Sequence, residues 1–462
     1  MLLMVKKNYS LMNIPRLIFS GSGSAVGKTT ISSGIMCALS KKGYDVQPFK
    51  VGPDYIDCGY HEKATKNPSR TLDSFLMDED TIAEIFTRNT KDISIIEGVR
   101  GLFEGISIED EIGSTAHISK ILHSPVILIV NVRSITKSAA AIVSGFKSFD
   151  PNVKISGVIL NNISGSSHKQ KVVRAVENLS DTEVLGAIPK DDRMEIEQRH
   201  LGLHLPHENQ DLDATLDDIR AVIEENVNLD RILEIANTSE DFPKTKERLY
   251  KKLGENKVKV GVAYDKAFNF YYADSLDLLR LHGCQLHFFS PLNDKNLPDE
   301  IDGLYIGGGY PEVFAEELSN NSGMMKHINR AANDDMPIYA ECGGLIYLSK
   351  RFEGNKMVGF LPCSAKMSKR HLRFTICKTI RKTIIGDKGL TLKGHEFHYT
   401  TLKDLPDDTC FSYEMVRGAG IDGKYDGIIQ NNTLSSYNHL HFATEPGVVK
   451  SLVGSFGKYK RR

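Results

Sequence analysis

Residues 14–30, IPRLIFSGSGSAVGKTT, constrain the fold more than any other stretch of this chain. A short apolar run leads into a loop of small residues. Gly27, Lys28, Thr29 and Thr30 then open a segment in which Ile31, Ile35, Ala38 and Leu39 recur at helical spacing. Small residues let backbone N–H groups crowd around a phosphate chain, a lysine adds positive charge, and a hydroxyl reaches a magnesium ion. The expected unit is strand, phosphate loop and helix, with the helix N-terminus facing the anion and Gly43 ending the helix. Its nucleotide-binding residues are Gly23, Ser24, Ala25, Val26, Gly27, Lys28, Thr29 and Thr30, with Thr29 also turned to the metal.

The loop departs from G-x-x-x-x-G-K-[ST] at its first glycine, where Ser22 stands between Gly21 and Gly23. The shifted glycines resemble the variant loop of dethiobiotin synthetase. Partition-type ATPases of the same broad group carry an early lysine where this chain has Gly23.

Downstream, residues 46–51 read as a second strand that emerges into Gly52-Pro53-Asp54-Tyr55-Ile56-Asp57. Ligands bind at that edge of open α/β sheets, so Asp54 and Asp57 are candidates for holding Mg²⁺ or orienting a substrate; a solvated turn is the competing reading. Residues 80–88 read as a helix, and 93–96 as a buried strand ending in Glu97, where phosphoryl-transfer enzymes place a magnesium-associated acid. Glu104 is a further acid in the glycine-rich loop GVRGLFEG. Strands at 125–132, 153–160 and 184–188, with a helix at 138–146 between the first two, predict a mainly parallel sheet covered on both faces. Arg193, Arg199 and His200 fall in a charged stretch read as a solvated helix face, and 211–236 reads as one helical segment.

A second αβ pattern starts afresh at 257, after the polar stretch 237–256. The expected organisation is therefore an extension at 1–13, a first domain at 14–236, a linker at 237–256 and a second domain at 257–462. Near-balanced charge, a formal net of −1, offers no surface for nucleic acid or an anionic membrane. Seven cysteines with no C-x-x-C pair argue against a disulfide framework or zinc ribbon and for a reducing, cytoplasmic setting. The first residues do not read as a signal peptide, and no apolar run approaches a membrane span.

In the second domain Cys342 stands at a strand-to-helix turn before Gly343 and Gly344, the setting of a nucleophile elbow. Its neighbouring N–H groups would face a developing oxyanion, and the helix start should lower the thiol pKa. Gly343 and the turn GGGYPE, through Gly308 or Gly309, are the oxyanion candidates, and His439 and His441 are the candidate bases.

With these residues in view, the chain resembles the cobyrinate a,c-diamide synthases and the similar Ni-sirohydrochlorin a,c-diamide synthases. The resemblance is carried in order by SGSGSAVGKTT, FKVGPDYID, EGVRGLFEG, RHLGL, FSPL, GGGYPE, AECGGLIYL, GHEFHY and SYNHLHF. It implies an α/β chain: a doubly wound P-loop domain, dethiobiotin-synthetase-like, followed by a class I glutamine amidotransferase α/β domain of the cobyric-acid-synthase type. It implies ATP, Mg²⁺, L-glutamine or ammonia and a tetrapyrrole as ligands, and a homodimer, in cobalamin or coenzyme F430 biosynthesis. Asp54 and Glu97 then serve magnesium or catalysis, Asp57 and Glu104 lie beside them, Cys342 is the nucleophile and His439 its base.

Three departures stand out. Cys58 replaces a frequent proline, and Arg100 and Glu104 replace the methionine and aspartate of many corrinoid enzymes, which bears on the choice of ring. His441 occupies the place of the usual glutamate two residues after the histidine, so the third triad member is unassigned, with Glu396 of GHEFHY as a candidate. Competing readings are a cobyric acid synthase and, outside enzymes, a partition-type nucleotide switch.

Overall fold

The computed structural model describes residues 11–196, 198–199, 202–203, 211–243, 245–251 and 257–461. The chain divides into two units, Met1–Lys246 and Glu247–Arg462.

The first unit is built on a seven-stranded sheet whose neighbours are all parallel. In chain order the strands are β1 (Arg16–Gly21), β2 (Val46–Val51), β3 (Arg70–Leu72), β4 (Ile93–Gly101), β5 (Val126–Asn131), β6 (Ile155–Ile163) and β7 (Val184–Pro189). Their order across the sheet is β3-β2-β4-β1-β5-β6-β7. Winding reverses about β1, so the loop after β1 opens at the switch point where such sheets bind ligands. The inner strands β1, β2, β4 and β5 are buried along nearly their whole length because helices cover both faces. Helix α1 (Lys28–Lys41) buries Ile31, Ile35 and Leu39 in one cluster with Ile219 and Ile223 of a later helix, Leu212–Asn226.

Two expectations change here. The helical stretch at 211–236 is two helices, because Asn228 interrupts it and caps Leu229–Asn237 by accepting the Arg231 N–H at 3.0 Å. The segments read as extension and linker also hold a strand pair of the first unit, Leu11–Met12 against Phe242–Pro243. Arg16 explains why: its buried guanidinium donates to the carbonyls of Leu122 at 2.6 Å, Ile14 at 2.9 Å and Glu240 at 2.7 Å, and lies 5.3 Å from the Phe242 ring. Arg193 pairs with Asp191 at 2.8 Å. His200 and the Arg199 side chain lie outside the described residues.

The second unit has a 12-stranded mixed sheet. Its parallel part runs β9 (Cys284–Phe289), β8 (Val258–Ala263), β10 (Gly303–Ile306), β11 (Ile338–Glu341) and β16 (Thr433–Ser436). Antiparallel strands continue it: β15 (Tyr425–Gln430), β14 (Phe411–Arg417) and β12 (Ser364–Thr379), which pairs with β13 (Thr391–Lys403). The two-residue β17 (His439–Leu440) adds to β13 with His395 opposite His439. Among the described residues no helix is long and apolar enough to cross a membrane.

Candidate active sites

At the mouth of the first sheet, the loop after β1 closes on the start of α1. Gly27 adopts φ +96°, a conformation that favours glycine, and a Cβ there would lie 2.5 Å from Asn161 Nδ2 and displace the side chain that donates to the Val26 carbonyl at 2.9 Å. Lys28 donates to the carbonyls of Gly23, at 3.2 Å, and Arg100. Burial, and then the charge of Lys50, pull its pKa down to about 8.

Behind the loop sits a fully buried carboxylate. Glu97 Oε1 accepts from Thr29 at 2.8 Å and Lys50 at 2.9 Å; Oε2 accepts from Ser32 at 2.8 Å and faces His61 Nε2 at 2.6 Å. Lys50 is the principal influence holding Glu97 well below the usual carboxylate range against the cost of burial. Lys50 also meets Asp57 at 2.6 Å, joining two of the candidate acids. Asp54 Oδ1 accepts the N–H groups of Ile56 and Asp57, both at 2.9 Å, and so fixes the first turn of Ile56–Thr65. Glu104, by contrast, is exposed on the loop after β4. Lys50, His61 and Ser32 were not singled out from sequence; a lysine inside an otherwise buried strand was the available signal.

Thr29, Asp54 and Glu97 offer hydroxyl and carboxylate oxygens, the donor set that suits a hard cation such as Mg²⁺. Among the described residues no group of three or more His, Cys, Asp and Glu is placed to hold a metal ion.

In the second unit Cys342 follows β11 with φ +47° and ψ −95°, a conformation rare for a residue with a side chain and retained here by fixed neighbours. Its N–H donates to the Ser436 carbonyl at 2.7 Å, and its Sγ lies 3.7 Å from the Phe397 carbonyl. Asp426 pins the turn after β16 by accepting from Tyr437 at 3.1 Å and Asn438 at 3.0 Å, which sets the position of His439. The glycine turn Gly308-Gly309 lies against both Gly343, the residue after Cys342, and His439. A Cβ on Gly343 would be 3.1 Å from Gly309 N, and one on Gly308 would be 2.4 Å from His439 Cε1.

Electrostatics here reverse the sequence expectation for the thiol. Burial, then Glu312 and Glu341, push the Cys342 thiol well up, and the Gly343 N–H works only partly against them. The helix it begins, Gly343–Leu348, is too short to offset a dry, acidic setting. Burial also pulls His439 down to about 3, so thiol and imidazole rest uncharged.

The carboxylate nearest His439 is Glu341, with Oε2 4.0 Å from Nδ1. It accepts from Tyr305 at 2.9 Å, Tyr339 at 2.7 Å and the Leu440 N–H at 2.9 Å, and burial pushes it up to about 7. Sequence reasoning missed it, although an acid ending an apolar strand is the signal that picked out Glu97. Glu396 is instead held by the Ala419 and Gly420 N–H groups at 2.7 and 2.9 Å, and by Arg373 at 3.3 Å. Successive residues of a strand face opposite sides, and it is His395 whose ring stacks 4.7 Å from His439. His441 turns toward Asp274, 3.9 Å away, and the Tyr272 ring, 4.5 Å away.

Residues 17–203 match the CobQ/CobB/MinD/ParA nucleotide binding domain, and 259–447 match the CobB/CobQ-like glutamine amidotransferase domain. The chain is 47% identical to a cobyrinate a,c-diamide synthase of Methanobrevibacter smithii, across 93% of this chain and 96% of the relative. It is 47% identical to one of Methanocaldococcus jannaschii, across 97% and 100%, and 44% identical to one of Methanosarcina acetivorans, across 97% and 96%. With a nucleotide-binding domain and an amidotransferase domain in one amidating ligase, the chain belongs to the cobyrinate a,c-diamide synthase family.

Proposed function

We propose that this enzyme converts the a and c acetate carboxylates of cobyrinate to amides, using ATP and the amide nitrogen of glutamine. The observation that carries the reading is near-full-length identity to proteins of that name, in a chain holding both a P-loop site and a cysteine-histidine site.

A carboxylate resists amidation because its charge repels nucleophiles and oxide is a poor leaving group. A substrate carboxylate oxygen attacks the γ-phosphorus of ATP, giving an acyl phosphate and ADP, while Lys28 and the loop N–H groups stabilise the migrating charge. Ammonia then attacks the acyl carbon and phosphate leaves. Mg²⁺, when bound, neutralises phosphate charge, and Thr29, Asp54 and Glu97 would hold it. Lys50 and His61 keep Glu97 ionised and oriented for that role.

In the second unit the Cys342 sulfur attacks the glutamine amide carbon as His439 takes the thiol proton and passes it to the leaving ammonia. Water then hydrolyses the thioester to glutamate. N–H groups of Gly343 and the Gly308-Gly309 turn face the oxyanion, and Glu341 steadies the imidazolium formed in transit. The reading includes a cytoplasmic homodimer, a setting that seven free cysteines suit.

Arg100, near the end of β4 with its carbonyl on Lys28, and Glu104, on the loop that follows, favour testing Ni-sirohydrochlorin as a second substrate. Purified enzyme with Mg²⁺, ATP and glutamine is given each macrocycle and the products are weighed. Two acid-to-amide conversions of cobyrinate are expected; conversion of Ni-sirohydrochlorin alone transfers the assignment to that ring, and conversion of neither overturns it.

A further inference from the structure

The GGGYPE turn carries a carboxylate that the mechanism above leaves idle. Glu312 follows Pro311, whose ring carbons would lie 3.0 and 3.3 Å from a Cβ on Gly343, so the turn that carries it packs against the residue after the nucleophile. Its Oε2 is shut off from solvent and takes no hydrogen bond among the described residues. After burial, Glu312 is the strongest influence pushing the Cys342 thiol up, ahead of Glu341 and Asp426. Burial pushes Glu312 itself up to about 7, opposed among the described residues by its own backbone N–H.

Such a group is unfavourable twice over. A buried carboxylate oxygen without a partner carries a desolvation cost, and its charge opposes the thiolate that must form. Both penalties fall when a cation arrives beside it. Glutamine brings a single cation, its α-ammonium, four bonds from the amide carbon that the thiol attacks. Glutamine's own α-carboxylate would be repelled from this position, so the charge fixes which way round the substrate lies.

We infer that Glu312 binds the α-ammonium of glutamine, making it the residue that selects an α-amino acid amide over other primary amides at the Cys342 site. The inference rests on Cys342 being the glutaminase nucleophile. Because the ammonium neutralises the acid that weighs most on the thiol, binding of the correct substrate also removes an obstacle to thiolate formation. An amide lacking the amino group leaves that obstacle in place.

The test compares glutamine with glutaramate, the same amide without its α-amino group, by ammonia release from the full-length enzyme and its Glu312→Gln, Glu312→Ala and Cys342→Ala variants. Amidation driven by ammonium chloride reports that each variant is folded. Glu312→Gln should raise KM for glutamine roughly 10- to 100-fold, the loss expected for a charge-assisted hydrogen bond. It should leave kcat/KM for glutaramate at or above the wild-type value, because the charge that opposes the thiolate is gone, so that the preference for glutamine collapses. An unchanged KM, equal loss on both amides, or no preference in the wild type overturns the assignment of Glu312. Ammonia release that survives Cys342→Ala overturns the parent reading and this inference with it.

Discussion

At the mouth of the seven-stranded sheet, Lys50 stands between Asp57 and Glu97, with His61 and Lys28 close by; against the cost of burial Lys50 holds Glu97 well below the usual carboxylate range, while burial, and then Asp54, push Asp57 up to about 8. At the ends of β11 and β16 the acids Glu341, Glu312 and Asp426 are each pushed up to about 7 by burial, Cys342 is pushed up and His439 down. Both sites use the same device, a parallel strand that turns sharply into a helix, yet one keeps a buried lysine–carboxylate pair charged and the other suppresses charge throughout. The difference matches their ligands. A polyphosphate needs cations that are already charged and fixed, whereas a neutral amide is best met by an uncharged nucleophile and base that ionise only as bonds change.

The strongest way to break this comparison is to disable each site in turn. Lys28→Ala should cut amidation by about 10³-fold or more with either glutamine or ammonia. Cys342→Ala should do so with glutamine only, leaving ammonia-driven turnover intact. Product analysis with both nitrogen sources separates the two.

Two carboxylate replacements sharpen it. Glu341→Gln should lower kcat with glutamine roughly 10- to 100-fold and spare the ammonia reaction, because only the orientation and charge of His439 depend on it. Wild-type glutamine turnover should fall as pH drops below about 7, where Glu341 takes up a proton. Glu97→Gln should cost about 3 kcal/mol of stability in urea titrations at pH 7, since it leaves Lys50 and His61 without their shared acid. The sign of the pH dependence differs between them. Glu97 is held below its ordinary range, so its contribution is full above the unfolded value of about 4.3 and lost as pH falls further. Glu341 is raised, so its contribution is present below about 4.3 and lost as pH climbs through about 7.

Smaller effects probe the resting charges. Iodoacetamide should alkylate Cys342 roughly 10-fold more slowly at pH 7 than free cysteine, with a rate still rising above pH 9; mapping of the labelled peptide reads this. Nucleotide affinity should weaken about threefold or more as pH rises past about 8, where unliganded Lys28 loses its proton, as equilibrium titration would record.

The first unit was the more legible half. Apolar strands alternating with helices spell out a parallel sheet locally, and the loop residues 23–30 fall where strand meets helix. What escaped depends on contacts far apart in sequence: Phe242–Pro243 pairs with Leu11–Met12 across the whole unit, and Arg16 reaches Glu240. In the second unit the long hairpin of β12 and β13 went unread because only one face of β12 is buried, and its stretch KMSKRHLR carries lysines and arginines that look like loop. Glu396 was favoured by its place in a motif, but the strand's period of two gives His439 its neighbour at His395 instead. Glu341 was hidden because its partner His439 lies far along the chain and only the fold brings the two together.

The most direct test of the account is to follow the nitrogen. The enzyme is given cobyrinate, ATP, Mg²⁺ and glutamine labelled with ¹⁵N in the side-chain amide, with unlabelled ammonium in the buffer kept well below the level that drives the reaction alone. The account predicts that both new amides carry ¹⁵N, that ADP forms with each, and that Cys342→Ala incorporates label into neither. Amides that form without ATP cleavage, or that carry label in the Cys342→Ala protein, would contradict it.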